Sequence, residues 1–181
     1  MRIIAGNFKG RRLYPPNDHR IRPTTDKVKE ALFSILTNHL ENAVVLDLFS
    51  GTGNLGLEAL SRGAAKVYFC DQSRDSISLI KKNIQHCGAQ ENSVILAGSY
   101  QTVLEKITEK VDLVFLDPPY QKGFADLAIQ AILRAALLSD HGLIAVEQGK
   151  EEPLRSYPGL ERIRDRCYGI IRIIIYEKTE E

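Results

Sequence analysis

Asp117-Pro118-Pro119-Tyr120 is the segment of this chain best equipped for chemistry, and it follows directly on the apolar run Leu113-Val114-Phe115-Leu116. Consecutive prolines donate no backbone hydrogen bonds, and each holds φ at about −65°. A strand that ends this way stops abruptly, leaving a carboxylate, outward carbonyls and an aromatic ring at its carboxyl end. Ligands of open α/β sheets bind at that edge. Asp117 and the Pro118 carbonyl can each accept one N–H of an exocyclic base amine, with Pro119 rigidifying the turn and Tyr120 stacking on the ring. Such an amine is a poor nucleophile, because its lone pair is conjugated into the base. Fixed acceptors favour a lone pair aimed at a methyl carbon and stabilise the positive charge that develops on nitrogen. In-line transfer needs the amine about 3 Å from the methyl group, so positioning supplies much of the rate. Neither a metal nor a covalent intermediate is called for.

A second constellation lies upstream. Gly51-Thr52-Gly53-Asn54-Leu55-Gly56 follows an apolar strand and opens a helix, the context that gives a GxGxxG pattern meaning. Glycines let a ligand approach the backbone, and the helix start offers free N–H groups. Asp71 ends the next apolar run, where a carboxylate can accept both hydroxyls of a ribose. Together they point to a cofactor that contains a nucleoside. A nicotinamide dehydrogenase would share this half of the sheet, but has no use for Asp117 to Tyr120.

These residues need a sheet to hold them. From residue 43 onward, apolar strands (44–49, 67–71, 94–97, 112–116 and 143–147) alternate with helical stretches (55–61, 75–87, 102–107 and 125–138). That alternation implies right-handed crossovers and a mostly parallel sheet. Only Tyr168-Gly169 separates the runs 160–167 and 170–176, so these pair antiparallel. The predicted fold is α/β, a doubly wound seven-stranded sheet that is mostly parallel and Rossmann-like, closed by a C-terminal antiparallel hairpin. Ahead of it, residues 2–5 and 11–14 flank a turn-rich link and predict an N-terminal β-hairpin extension. Pro15 to Pro23 reads as a loop, and Thr24 or Thr25 caps an amphipathic helix carrying Val28, Leu32, Ile35 and Leu36. The expected division is 1–23 as a basic hairpin and loop, and 24–181 as the catalytic domain.

The chain has 181 residues, 44% of them apolar and 26% charged, with a formal net charge of +1. The charge is unevenly spread. Residues 1–30 hold eight Lys/Arg against three acids, and the remainder is net acidic. A basic head on an acidic body suits a polyanion. Arg11, Arg12, Arg20 and Arg22 are the candidate phosphate contacts, and Phe8 at the hairpin tip either stacks on a base or is an ordinary turn hydrophobe. No apolar run approaches the roughly 20 residues of a membrane span. The three widely spaced cysteines and four histidines show no metal-ligand spacing, so no structural zinc is expected and a reducing, cytoplasmic setting is the simplest reading. Cys70 reads as core, and Glu147, ending the fifth strand, as more structural than catalytic.

The set Arg22-Pro23-Thr24-Thr25, Glu30-Ala31-Leu32-Phe33, Asp47-Leu48-Phe49-Ser50-Gly51-Thr52-Gly53 and Asp117-Pro118-Pro119-Tyr120 resembles the bacterial small-subunit (16S) ribosomal RNA guanine-N2 methyltransferases, which are class I S-adenosylmethionine-dependent enzymes. The likeness runs from Ile3 to Tyr176. Asp-Pro-Pro-Tyr alone marks amino methyltransferases at large; its combination with the basic hairpin and the Arg-Pro-Thr helix in so short a chain narrows the family. The resemblance implies S-adenosyl-L-methionine as cofactor, with Asp47, Phe49, Ser50, Gly51, Thr52 and Gly53 lining its methionine part and Asp71 holding its ribose. Thr24 and Thr25 would lie beside the methionine carboxylate, and Asp117 to Tyr120 would grip a flipped guanine. Related enzymes often place Asp or Asn after the third strand to bond the adenine. This chain reads Ala97-Gly98-Ser99-Tyr100 there, which leaves Ser99 as the substitute. The implied partner is small-subunit ribosomal RNA, within a ribosomal particle or assembly intermediate. Adenine-N6 methylation of nucleic acid, methylation of a protein glutamine, and an RNA-binding module without catalysis are the alternative readings.

Overall fold

The computed structural model describes residues 1–16, 25–119 and 123–179. Helix α1 (Asp26–Ile35) leads into β1 (Val44–Asp47), α2 (Asn54–Ser61), β2 (Lys66–Asp71), α3 (Arg74–Cys87), β3 (Ser93–Ala97) and α4 (Tyr100–Leu104). Then follow β4 (Val111–Leu116), α5 (Phe124–Arg134), β5 (Leu138–Gly149), β6 (Leu160–Tyr168) and β7 (Ile171–Lys178). The seven strands form one sheet in the order β3-β2-β1-β4-β5-β7-β6. The first five are parallel, and β7 runs antiparallel to both its neighbours.

This order follows from the apolar pattern. Strands β1, β2 and β4 are buried on both faces, as parallel strands covered by helices must be. One face packs Val45, Phe69, Leu113 and Phe115 against α1, α2 and α3. The other packs Leu46, Cys70, Val114 and Leu116 against α4 and α5. The chain changes face between β1 and β4, which lie side by side, and the carboxyl ends of these two strands therefore border the switch point where ligands of such sheets sit.

Two elements depart from the sequence pattern. The helix expected over 125–138 stops at Arg134, and β5 begins at Leu138 rather than Leu143. Ala136 takes a left-handed φ of 49° and turns the chain. Leu138 pairs with Val111, and the register then slips before Leu143 pairs with Leu113. The intervening Ser139, Asp140, His141 and Gly142 carry no strand signal. The irregular start of the strand is held instead by the Asp112 carboxylate, which accepts from Ser139 Oγ (2.7 Å) and from the Val44 N–H (2.9 Å).

The N-terminal hairpin exists without a strand ladder. One antiparallel bridge joins Arg2 to Arg12, supported by Ile3 N–H to Arg11 O (2.9 Å) and Gly10 N–H to Ile3 O (2.8 Å). The amides that a longer ladder would use are taken by α2. Glu58 accepts from the Ile4 and Ala5 N–H groups at 2.8 and 3.0 Å, and Ser61 Oγ accepts from Phe8 N–H at 2.8 Å. Residues 1–16 thus lie on the body, with Ile3 and Leu13 in its core.

Candidate active site

The carboxyl edge of the sheet carries a row of acids. Asp47 ends β1, Asp71 ends β2, Asp117 follows β4, and Glu147 lies near the end of β5. Asp47 lies opposite Phe115, and Leu116 lies opposite Val146, so Asp117 and Glu147 occupy neighbouring positions on adjacent strands. By strand alternation, Asp47, Asp117 and Glu147 share the face that carries α1 and α2. Asp117 is half-buried, Pro118 is buried and Pro119 is exposed. The abrupt strand end read from the two prolines is present, since β4 stops at Leu116.

Asp47 is 2% exposed and its Oδ2 accepts the Gly56 N–H at 3.0 Å. Burial pushes its carboxyl up to about 7, against the Gly56 hydrogen bond and aided by the Asp71 charge. Ser50 ties the loop to β2: its Oγ donates to Asp47 O (2.6 Å) and accepts from Cys70 N–H (2.9 Å). Gly51 has φ of +55° with nothing within 4 Å of where a Cβ would stand. The loop backbone is therefore open at this point, and its conformation favours glycine. Asp71 is poised on the same loop, with Oδ2 accepting from Gly51 N–H and Oδ1 from Ser73 N–H, both at 2.9 Å.

Gly56 has a different task. A Cβ there would stand 2.3 Å from Phe69 Cε1, so its absence lets α2 press onto β2. Phe49 lies between the starts of α4 and α5, with ring centroids 6.1 Å from Tyr100 and 6.5 Å from Phe124. Ser99 caps α4 by accepting from Thr102 N–H, and Thr25 caps α1 by accepting from Val28 N–H at 3.3 Å.

The family described as Conserved hypothetical protein 95 matches residues 1–177. Ribosomal RNA small subunit methyltransferase D of Haemophilus influenzae is 36% identical over 180 residues, which cover 98% of this chain and 93% of that protein. Its Escherichia coli counterpart is 34% identical over 182 residues, covering 100% and 91%. A solved methyltransferase structure from Escherichia coli superimposes with a TM-score of 0.90 at 32% identity, over 100% of this chain and 99% of that one. The chain belongs to the ribosomal RNA small subunit methyltransferase D family. It is a methyltransferase, and the seven-stranded α/β sheet is that of its relatives.

In this member of the D family, the basic head is only partly free for a ligand. Arg11 donates to the carbonyls of Cys87 and His86 and lies 5.2 Å over the Phe8 ring. It therefore closes the C-terminal end of α3, where unpaired carbonyls favour a cation. Phe8 is half-buried against the core, which is the turn-hydrophobe role. Arg12 is exposed. Arg20, Arg22, Thr24 and Tyr120 lie outside the described residues. Cys70 is fully buried and burial pushes its thiol far up, so it is core. Glu147 is also buried. Among the described residues, no group of three or more His, Cys, Asp and Glu side chains is arranged to hold a metal ion, and no helix is long and apolar enough to cross a membrane.

Sequence reasoning passed over three buried polar residues next to the glycine loop and the hairpin. Lys29 is fully buried, and its Nζ meets three acceptors: Arg2 O at 2.5 Å, Asn54 Oδ1 at 2.8 Å and Glu58 Oε2 at 3.0 Å. Three acceptors match the three protons of an ammonium. Burial lowers its affinity for the proton, and the Glu58 carboxylate opposes that. Glu58, also buried, is raised by desolvation but brought below the ordinary range by the Ile4 N–H, Lys29 and Arg62. Asn83 is buried between the hairpin and the glycine loop, accepting from Tyr14 N–H (2.8 Å) and donating to Tyr14 O (3.2 Å) and Thr52 O (2.9 Å). One signal was available: Lys29 falls on the apolar stripe of α1, in line with Leu32, Phe33 and Leu36.

Proposed function

We propose that the chain transfers a methyl group from S-adenosyl-L-methionine to the exocyclic N2 of a guanine in small-subunit ribosomal RNA. The observation that carries this reading is the placement of Asp117-Pro118-Pro119 at the end of β4, directly beside Asp47 and the glycine loop. The residues present fit the cofactor. Each Asp71 oxygen accepts one backbone N–H and keeps a second lone pair, enough for two ribose hydroxyls. The open backbone at Gly51 leaves room for close approach, and the buried Asp47 carboxylate lies at the edge where the methionine part would rest.

When bound, S-adenosylmethionine supplies a methyl carbon on a cationic sulfur. The chain's part is to hold the amine. Asp117 and the Pro118 carbonyl accept its two N–H groups, and the prolines keep both acceptors from adjusting as charge develops. The amine proton then leaves through the Asp117 side to solvent. A base in a duplex cannot reach such an edge, so the target is unpaired or extruded at a cost of a few kcal/mol. The basic hairpin supplies phosphate contacts, and the ribosomal RNA named for the Haemophilus influenzae and Escherichia coli relatives fits that charge.

The deciding experiment incubates the protein with methyl-labelled S-adenosylmethionine and small ribosomal subunits from cells that lack it, followed by nucleoside analysis. Label in N2-methylguanosine is expected. Label in N6-methyladenosine instead would keep the amine chemistry and overturn the base. Asp117→Ala is expected to cut turnover by about a hundredfold or more while product affinity in calorimetry stays within about twofold; parallel loss of both would remove Asp117 from the amine.

A further inference from the structure

The N-terminal segment and the glycine loop are joined through two buried side chains. Asn83 holds the Tyr14 backbone with one hand and the Thr52 carbonyl with the other. Lys29 does the same between Arg2 O and Asn54, the first residue of α2. Both side chains are fully buried, and Glu58 extends the second link to the Ile4 and Ala5 amides. All three side chains are buried, so none is presented to a ligand at the loop's surface.

A buried amide or ammonium cannot release one partner without leaving polar groups unpaired, which opposes the release. Loop and hairpin therefore do not order independently: a loop conformation that moves Thr52 O or Asn54 breaks the same side chains' bonds to the hairpin. We propose that Asn83 and Lys29 are positioning residues that couple the glycine loop to the N-terminal segment, so that cofactor and RNA bind cooperatively. This rests on the proposed assignment of the loop to the cofactor and of the basic segment to RNA. Holding the loop in place disfavours local opening of residues 1–14, and thermodynamic linkage makes the effect reciprocal. Loss of either link then weakens the binding of both ligands.

The test is amide hydrogen exchange followed by NMR on the full chain, with and without the product S-adenosylhomocysteine. Ligand is expected to slow exchange at Ile4, Ala5 and Tyr14 by about fivefold or more, in addition to the loop amides. In Asn83→Ala the Tyr14 effect is lost while protection of the loop remains. Protection confined to residues 50–56 in the wild type overturns the coupling, and an unchanged Tyr14 effect in Asn83→Ala overturns the role of Asn83. If Asn83→Ala does not fold, the wild-type comparison decides alone. A wild-type chain that binds no product in calorimetry overturns the cofactor reading and the coupling with it, which separates that failure from a loop-only response.

Discussion

Arg11 and Arg12 are adjacent and equally basic, yet their surroundings assign them different work. Both are exposed, but the Arg11 guanidinium is spent on the α3 carbonyls and the Phe8 ring. Arg12→Ala is expected to weaken RNA binding and reduce the salt slope of the affinity by about one, and binding measured over a salt series reads this directly. Arg11→Ala is expected to lower stability in urea unfolding and leave that slope unchanged. A second residue-scale consequence belongs to Asp47, whose carboxyl is pushed up to about 7 from an unfolded value near 4. Between those values the folded chain holds a proton that the unfolded chain has lost, so this group's contribution to stability falls as pH rises through that window. Asp47→Asn keeps an acceptor for Gly56 and removes the titration. Its stability relative to wild type is expected to improve by about 2–3 kcal/mol between about pH 5 and about pH 8 in denaturant melts; a difference flat in pH would show that Asp47 is ionised throughout.

At the scale of elements, the contact between α2 and β2 decides how the glycine loop is presented. Gly56 sits over Phe69, which is fully buried and cannot swing away. Gly56→Ala inserts a methyl where the nearest atoms stand at 2.3 and 2.9 Å, and overpacking of this kind costs about 1–3 kcal/mol. The helix must lift, and Asn54 and the loop move with it. Reduced stability in urea together with weaker product binding in calorimetry is therefore expected, although no ligand contact is changed. Normal product affinity at lowered stability would mean that the loop is positioned from β1 and β2 alone, through Ser50 and Asp71.

Across the whole molecule, residues 1–16 are bound to the body by buried charge rather than by a sheet. Glu58 faces Lys29 at 3.0 Å and Arg62 at 2.8 Å, with its side chain fully buried. Glu58→Leu leaves Lys29 as a buried ammonium without its counter-charge and frees the Ile4 and Ala5 amides, a change that costs about 3–5 kcal/mol. Limited trypsin digestion should then cut first at Arg2, Lys9, Arg11 or Arg12, ahead of any site in the sheet. Unchanged protection of these sites would show that Ile3 and Leu13 alone hold the segment. The same anchoring keeps Arg2, Lys9, Arg11 and Arg12 together on the body of a chain whose net charge is only +1.

Legible in the sequence were the alternation of elements, the terminal antiparallel pair, and the ends of β2 and β4 where Asp71 and Asp117 stand, whereas β1, read as running to Phe49, stops at Asp47. These depend on local apolar periodicity, glycine and proline, which act within a few residues of where they occur. Asp117 was legible because two prolines stop a strand without any distant partner. The early start of β5 was not legible, because its Ser139 is held by Asp112 of another strand. The tertiary structure alone showed that Arg11 is a helix-end ligand, that Phe8 is packing, and that Lys29, Glu58 and Asn83 are interior groups. A charged or amide side chain looks the same in sequence whether it meets water or three acceptors; its role is set by contacts between residues some 25 to 76 positions apart, and those distances close only when the sheet brings α1, α2, α3 and the hairpin to one face.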